Sequence, residues 1–319
     1  MQLDTVDDLI AGPGQVVVDV AAAGVGFVDT LVVAGRYQTL PPLPFAAGME
    51  FAGTVRAIGE GVEGFAPGDR VVGYVLNGAF AEQVVARPNE LFPLPSDISF
   101  EEGAVLCMPY LTAWFALTDR GQVQPGDNVL IGGASGAVGL AAVQLAKAMG
   151  ARVLACVRSD ADAAIARQAG ADAIIDLAVP DLRDALREQV MAASDGHGAD
   201  VVLDPLGGDF LTAALRAAAW RGRIVVIGFA AGDIPTVRVN YLLIKTLSIA
   251  GLDLSHFRDR MPEAVARAQA RIFELHAQGA LAPRIARRFP LEQLPEALEF
   301  VAAGRTGGRA VLTIRTMTA

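Results

Sequence analysis

Cysteine and histidine are scarce in this chain. Its 319 residues hold two cysteines, Cys107 and Cys156, and three histidines, His197, His256 and His276. Two thiols cannot build a disulfide framework, and free Cys fits a reducing compartment, so a cytoplasmic protein is expected. A catalytic zinc needs about three Cys, His or carboxylate ligands and a structural zinc about four. No pair among these residues has ligand spacing, so no metal site is expected. Basic residues are also short, since 26 Lys and Arg against 35 Asp and Glu leave a net charge of −9. That balance argues against nucleic acid, whose binding rests on Lys and Arg neutralising phosphates. The opening residues, Met1 to Asp8, are acidic and lack the basic head and apolar run of a signal peptide. Charged residues are 19% of the chain and apolar ones 53%, which excludes disorder and supplies a large core. The length suggests about two domains.

Long hydrophobic runs are nearly absent too. Residues 129–146 are 18 in a row without a charge, the lower edge of a membrane span. They include Gly132, Gly133, Gly136 and Gly139. Each glycine costs about 1 kcal/mol in a helix interior, so the run reads as strand, turn and helix, with no membrane partner.

The first third is built of short apolar runs broken by Gly and Pro. Strands are expected over 15–20, 49–57, 70–74, 79–85 and 91–94, a β-rich, barrel-like pattern. A helix is expected over 102–117. Then strands (128–131, 152–157, 174–176, 201–204, 224–227, 246–250) alternate with helices (137–149, 161–169, 182–192, 210–219). That alternation implies right-handed crossovers and a parallel sheet, and the continuously apolar strands imply cover on both faces. After 255 come helices over 261–278 and 291–303 and a strand over 310–314. The expected organisation is a β-rich domain from 1–117 and 255–319, with an α/β domain from 118–254 inserted.

The strongest site signal is Gly133-Ala134-Ser135-Gly136-Ala137-Val138-Gly139, between an expected strand and an expected helix. Glycines there let the backbone turn tightly and approach a pyrophosphate, and the helix N-terminus offers unpaired N–H groups to the anion. An NAD site places Asp or Glu at the end of the second strand for the ribose 2′-OH. Here Val157 ends that strand and Arg158 follows. A guanidinium in that place favours the 2′-phosphate of NADPH, with NADH the less favoured cofactor. Asp160 and Asp162 stand nearby and oppose it.

Further segments carry a family resemblance. They are Ala22-Ala23-Gly24-Val25 through Phe27-Val28-Asp29, Pro44 to Gly53, Pro67-Gly68-Asp69-Arg70-Val71, Tyr110-Leu111-Thr112-Ala113, the glycine loop running into Gln144-Leu145-Ala146-Lys147, Asp204-Pro205-Leu206-Gly207-Gly208, Gly222 to Phe229, and Gly307 to Leu312. In this order they resemble the zinc-free quinone oxidoreductase branch of the medium-chain dehydrogenase/reductase superfamily. The resemblance implies a Rossmann doubly wound parallel sheet inserted in a GroES-like β-rich barrel domain, a cleft between the two, and a homodimer. It implies that Thr112 meets the nicotinamide carboxamide, that Gly228, Phe229 and Ala230 pass close to the cofactor, and that Arg309 or Arg305 reaches it from the C-terminal segment. Where zinc-dependent relatives carry Gly-His-Glu, this chain reads Gly48-Met49-Glu50. It also departs from its own branch, with Gly26 where an Asn is common, and Asp162 and Leu177 where a Lys and a Tyr help hold the 2′-phosphate.

Without a Lewis acid to polarise an alcohol, hydride delivery to an already electrophilic acceptor is the expected chemistry. A small hydrophobic quinone is the leading substrate class. The proton can come from Tyr37, Tyr74, Tyr110 or solvent, and Tyr37 is preferred because the resemblance places it at a position lining the cleft. The alternatives are a 2-alkenal or enoyl reductase, and a protein that binds NADPH without turnover.

Overall fold

A computed structural model describes residues 2–304 and 307–314, so Arg305 lies outside the described residues. In chain order the strands are β1 (Val16–Val25), β2 (Glu50–Ile58), β3 (Arg70–Tyr74), β4 (Gln83–Ala86), β5 (Leu91–Pro93), β6 (Asn128–Ile131), β7 (Arg152–Val157), β8 (Ala173–Asp176), β9 (Ala199–Asp204), β10 (Ala218–Val226), β11 (Ser248–Gly251), β12 (Ile285–Pro290) and β13 (Arg309–Thr313). They fall into two sheets and two compact units. One unit holds the described parts of Met1–Met108, His256–Phe273 and Pro283–Ala319. The other holds Pro109–Ser255 and Glu274–Ala282.

The first unit is a sheet in the order β12-β13-β1-β2-β3-β5, with β4 also on β1. Strand β1 organises it. One side pairs with β2 along its length; the other pairs with β4 over Val16–Asp19 and with β13 over Ala22–Val25. The change of partner coincides with register shifts at Val17/Val18 and Val20/Ala22, the bulges that let a strand turn a barrel corner. This is why β1 runs on to Val25, past the end expected at 20. Its partners bury nearly every residue on both faces, with Val16, Val18 and Val20 packed on Phe51, Phe289 and Leu312.

Two other boundaries moved for local reasons. The strand expected over 79–85 begins only at Gln83, because Gly78, Ala79 and Phe80 donate their N–H groups back to Ala46, Gly48 and Ala47. The helix expected over 102–117 is split. A short turn, Phe100–Gly103, is closed by the Ser99/Glu102 capping box, and a separate helix spans Met108–Phe115. Pro109 marks where the second helix starts, because proline suits a first helical turn but not an interior.

The second unit is a six-stranded parallel sheet in the order β11-β10-β9-β6-β7-β8. Strand order reverses between β6 and β9, which defines the switch point where open α/β sheets bind ligands beyond their strand C-termini. Helices Ala137–Ala148, Asp160–Gln168, Leu182–Ala193 and Gly208–Ala217 connect the strands. Val129, Leu130, Val153, Leu154, Val201 and Val202 are fully buried at the centre. Among the described residues, no helix is long and apolar enough to cross a membrane.

Candidate functional site

Three loops meet at the C-terminal edge of the parallel sheet. The first follows β6. Gly132 N–H bonds to Leu203 O and Ala134 N–H to Cys156 O, so this loop is pinned to the strands on both sides. Gly133 has φ of +58°, a left-handed conformation that disfavours side chains. Helix Ala137–Ala148 then begins at Gly136 with no side-chain cap and no acidic residue in its first turn. A Cβ on Gly139 would sit 2.2 Å from Gly133 O and 2.7 Å from Ala134 Cα, so only glycine lets the helix pack onto its own approach loop. The product is a backbone cradle of N–H groups and positive helix dipole, suited to a diphosphate.

The second loop follows β9. Asp204 is fully buried, and its Oδ1 accepts the N–H groups of Leu206 and Gly207 at 2.9 and 2.8 Å. This turn sets Leu206 beside Gly133, whose Cβ would lie 3.2 Å from Leu206 Cδ2. The other carboxylate oxygen has no partner among the described residues, and burial raises the Asp204 pKa against those two N–H groups. The third loop is Gly228-Phe229-Ala230. Ala230 N–H donates to Pro205 O, and Ala231 N–H to Leu206 O. The structure thus brings residues 133–139, 204–208 and 228–230 together. Asp204 was missed as the organiser, although an Asp closing an apolar strand before Pro-x-Gly-Gly is the signature of such a turn.

Arg158 lies on the same edge, just beyond β7, exposed and without an ion-pair partner among the described residues. Ser159 caps the next helix, its Oγ accepting from Asp162 N–H and lying 2.5 Å from the Asp162 carboxylate. Thr112 is half-buried on helix Met108–Phe115 of the same unit.

Tyr37 and Arg309 belong to the first unit. Tyr37 is half-buried. Arg309 is only 6% exposed, and its Nη2 lies 2.6 Å from Oε2 of the fully buried Glu50. The other oxygen of Glu50 accepts from Met108 N–H at 2.6 Å. The guanidinium lies against Gly24 and Gly26, and a Cβ on Gly26 would come within 2.5 Å of Arg309 Nη1. This accounts for glycine where the resemblance leads one to expect Asn. Asp29, also buried, accepts from Gly26 N–H at 2.7 Å.

Two buried carboxylates therefore face one guanidinium. Burial pushes Glu50 up to about 7 and Asp29 up to about 6, against the lowering effect of Arg309. Cys107 and Cys156 are buried free thiols, and burial raises both well above the ordinary thiol value, which makes them poor nucleophiles.

Whole-chain comparisons agree with this geometry. The model described as alcohol dehydrogenase GroES-like domain matches residues 12–96, and that described as zinc-binding dehydrogenase matches 137–270. Quinone oxidoreductase-like protein 2 of Rattus norvegicus is 36% identical over 305 residues, covering 95% of this chain and 86% of that protein. The chain belongs to the quinone oxidoreductase branch of the medium-chain dehydrogenase/reductase superfamily. Its fold is a GroES-like domain with a Rossmann-like parallel sheet. The quinone oxidoreductase of Pseudomonas syringae pv. Tomato DC3000 is similar at a TM-score of 0.90 and 31% identity, over 97% of this chain and 94% of that one. The Escherichia coli quinone oxidoreductase complexed with NADPH is similar at a TM-score of 0.90 and 29% identity, with the same coverage.

The residues at the Gly48-Met49-Glu50 segment do not suit the zinc of the second family description. Met49 stands where zinc-dependent relatives carry histidine, and Glu50 is held by Arg309 and Met108 N–H. Among the described residues, no group of three or more His, Cys, Asp or Glu could hold a metal.

The buried carboxylates make stability depend on pH. Their folded pKa values lie above the ordinary carboxylate range, so between about pH 4.5 and 7 the folded chain holds protons that the unfolded chain has released. Their contribution is complete below that window and is lost as pH rises through about 7. Glu50→Gln is expected to flatten the fall in urea midpoint between pH 5 and 8. A slope equal to wild type would show that this cluster does not titrate there.

Proposed function

We propose that this chain is an NADPH-dependent, zinc-independent quinone reductase acting on a small hydrophobic electrophile. The observation that carries the proposal is the glycine-built cradle at the switch point, in a chain similar over nearly its whole length to quinone oxidoreductases. When bound there, the dinucleotide supplies a hydride.

The residues divide the remaining work. N–H groups of the first helical turn, from Ala137 to Gly139, hold the diphosphate, and Ser135 and Gly136 shape the turn that leads to them. Arg158, with no competing ion pair among the described residues, holds the 2′-phosphate. Thr112 orients the nicotinamide carboxamide, and the Gly228–Ala230 loop backs the cofactor. Tyr37 delivers the proton to the acceptor oxygen. Quinones and α,β-unsaturated carbonyls are electrophilic enough for positioning and water exclusion to suffice, so no metal is needed to polarise them.

The exposed apolar residues support self-association as a homodimer. β11 is an edge strand of the parallel sheet. Ile234, Val239, Leu243 and Ile244, close to it in sequence, are 71–83% exposed. An open edge beside apolar surface is the usual signature of a covered interface. Buried free thiols fit a cytoplasmic setting.

Three measurements test these proposals. NADPH oxidation is expected with 1,4-benzoquinone and to be at least tenfold slower with crotonyl or 2-alkenal acceptors. The reverse order would make the chain an enoyl reductase, and inertness toward all of them, with NADPH still bound, a binding protein. Arg158→Ala is expected to weaken NADPH binding by about tenfold and leave NADH unchanged, in line with one charge-assisted pair. Equal effects on the two cofactors would remove Arg158 from 2′-phosphate recognition. Leu243→Glu is expected to shift the sedimenting species from dimer to monomer, and a wild-type monomer would sink the dimer.

A further inference from the structure

Gln144 is a polar residue buried on the helix that begins at the glycine cradle. It is 8% exposed, and both ends of its amide are used. Its Oε1 accepts the Tyr110 hydroxyl at 2.8 Å and Ala282 N–H at 3.0 Å, while its Nε2 donates to Ala282 O at 2.8 Å. The backbone groups of Ala282 set the orientation of this amide, because an N–H can only donate and a carbonyl only accept. Tyr110 O–H must then be the donor to Oε1. Tyr110 is 3% exposed, and burial raises its pKa far above the ordinary phenol value. Its proton is committed to Gln144, so it is not available to an acceptor.

The two residues joined here sit on elements with distinct tasks. Gln144 lies two turns into helix Ala137–Ala148, whose first turn forms the diphosphate cradle. Tyr110 lies on helix Met108–Phe115, two residues before Thr112. All of these residues, with Ala282, are in the same compact unit. Leu111, Ala113 and Phe115 bury the Met108–Phe115 helix by apolar contact, which resists separation but only weakly resists sliding or rotation. Met108 N–H holds the start of this helix on Glu50, and the directional hydrogen bond from Tyr110 to a fixed amide adds a restraint two residues from Thr112.

We infer that Tyr110 is a positioning residue: through Gln144 it sets Thr112 at a fixed distance from the diphosphate cradle, and so determines which face of the nicotinamide is presented. The inference rests on the proposed dinucleotide role of Thr112 and the cradle. It assigns Tyr110 no contact with substrate or cofactor. Loss of its hydroxyl loosens the ring end of the cofactor while the diphosphate and 2′-phosphate grips persist.

Tyr110→Phe removes that hydroxyl alone and leaves Gln144 bonded to Ala282. With stereospecifically C4-deuterated NADPH, kcat is expected to fall about three- to tenfold, the range of one buried neutral hydrogen bond. Wrong-face transfer should rise, while the NADPH dissociation constant stays within about twofold. In a double-mutant cycle with Thr112→Val, the two losses should be non-additive, because Tyr110 acts through Thr112. A merely structural tyrosine would add its loss independently and leave stereospecificity intact, and that result overturns the inference. Fluorescence of bound NADPH gives a readout without turnover. Tyr110→Phe should shift the nicotinamide emission toward the free value, and unchanged emission also overturns the inference. If wild type binds no NADPH, the proposed function falls and this inference with it; binding with an unshifted variant overturns the inference alone.

Discussion

The close approach of the Ala137–Ala148 helix to the loop before it is the constraint on which this structure depends. Gly139 lies so near Gly133 O that any Cβ would overlap it, and Gly133 itself takes a left-handed turn. Backbone hydrogen bonds pin that loop to β7 and β9. The helix therefore starts at the point where strand order reverses, with no side-chain cap on its first N–H groups. Anion binding at such a place needs no charged residue. That suits a protein with net charge −9, in which a lysine-based phosphate site would have to work against the overall field.

A buried charge cluster includes Glu50 of the Gly48-Met49-Glu50 segment, where zinc-dependent relatives carry Gly-His-Glu. Glu50, Asp29 and Arg309 form a buried cluster with two acids and one base. Burying charges is costly unless they are paired and hydrogen-bonded. Here the cost is offset by the ion pair, by Met108 N–H on Glu50 and by Gly26 N–H on Asp29. The burial cost that is left over appears as raised carboxyl pKa values. Gly24 and Gly26 are part of the same arrangement, because side chains there would displace the guanidinium. A carboxylate held this firmly is a poor ligand for a divalent metal.

How far each feature could be read from sequence depended on the range of the interaction behind it. Strands β6 and β7 sit at the expected residues, because each is an apolar run bounded by turn residues, which is local information. The glycine loop was legible for the same reason. Helix Phe27–Val33 and strand β12 were not. The first is short and rich in β-branched residues, and the second carries Arg287 and Arg288 in a strand of six residues. Both depend on partners far away in the chain. The Glu50–Arg309 pair spans 259 residues, so no pattern of spacing could reveal it, and Arg309 was expected to face the cofactor. The Tyr110–Gln144–Ala282 network was invisible for the same reason.

Cofactor choice is where opposing local charges decide. Among the described residues Arg158 has no ion-pair partner, whereas the Asp162 carboxylate already accepts the Ser159 hydroxyl. An exposed pair between single charges is worth about 0–1 kcal/mol, because water and salt screen it. A phosphate dianion gripped by a planar guanidinium does better, through two parallel charge-assisted hydrogen bonds. Asp160 and Asp162 repel the same dianion, but they act as separate charges through solvent and lack a directional bond to oppose the grip. In the proposed NADPH reading, the margin for the phosphorylated cofactor rests mainly on Arg158. Because the opposing carboxylates act through solvent, added salt weakens their repulsion more than it weakens the direct grip.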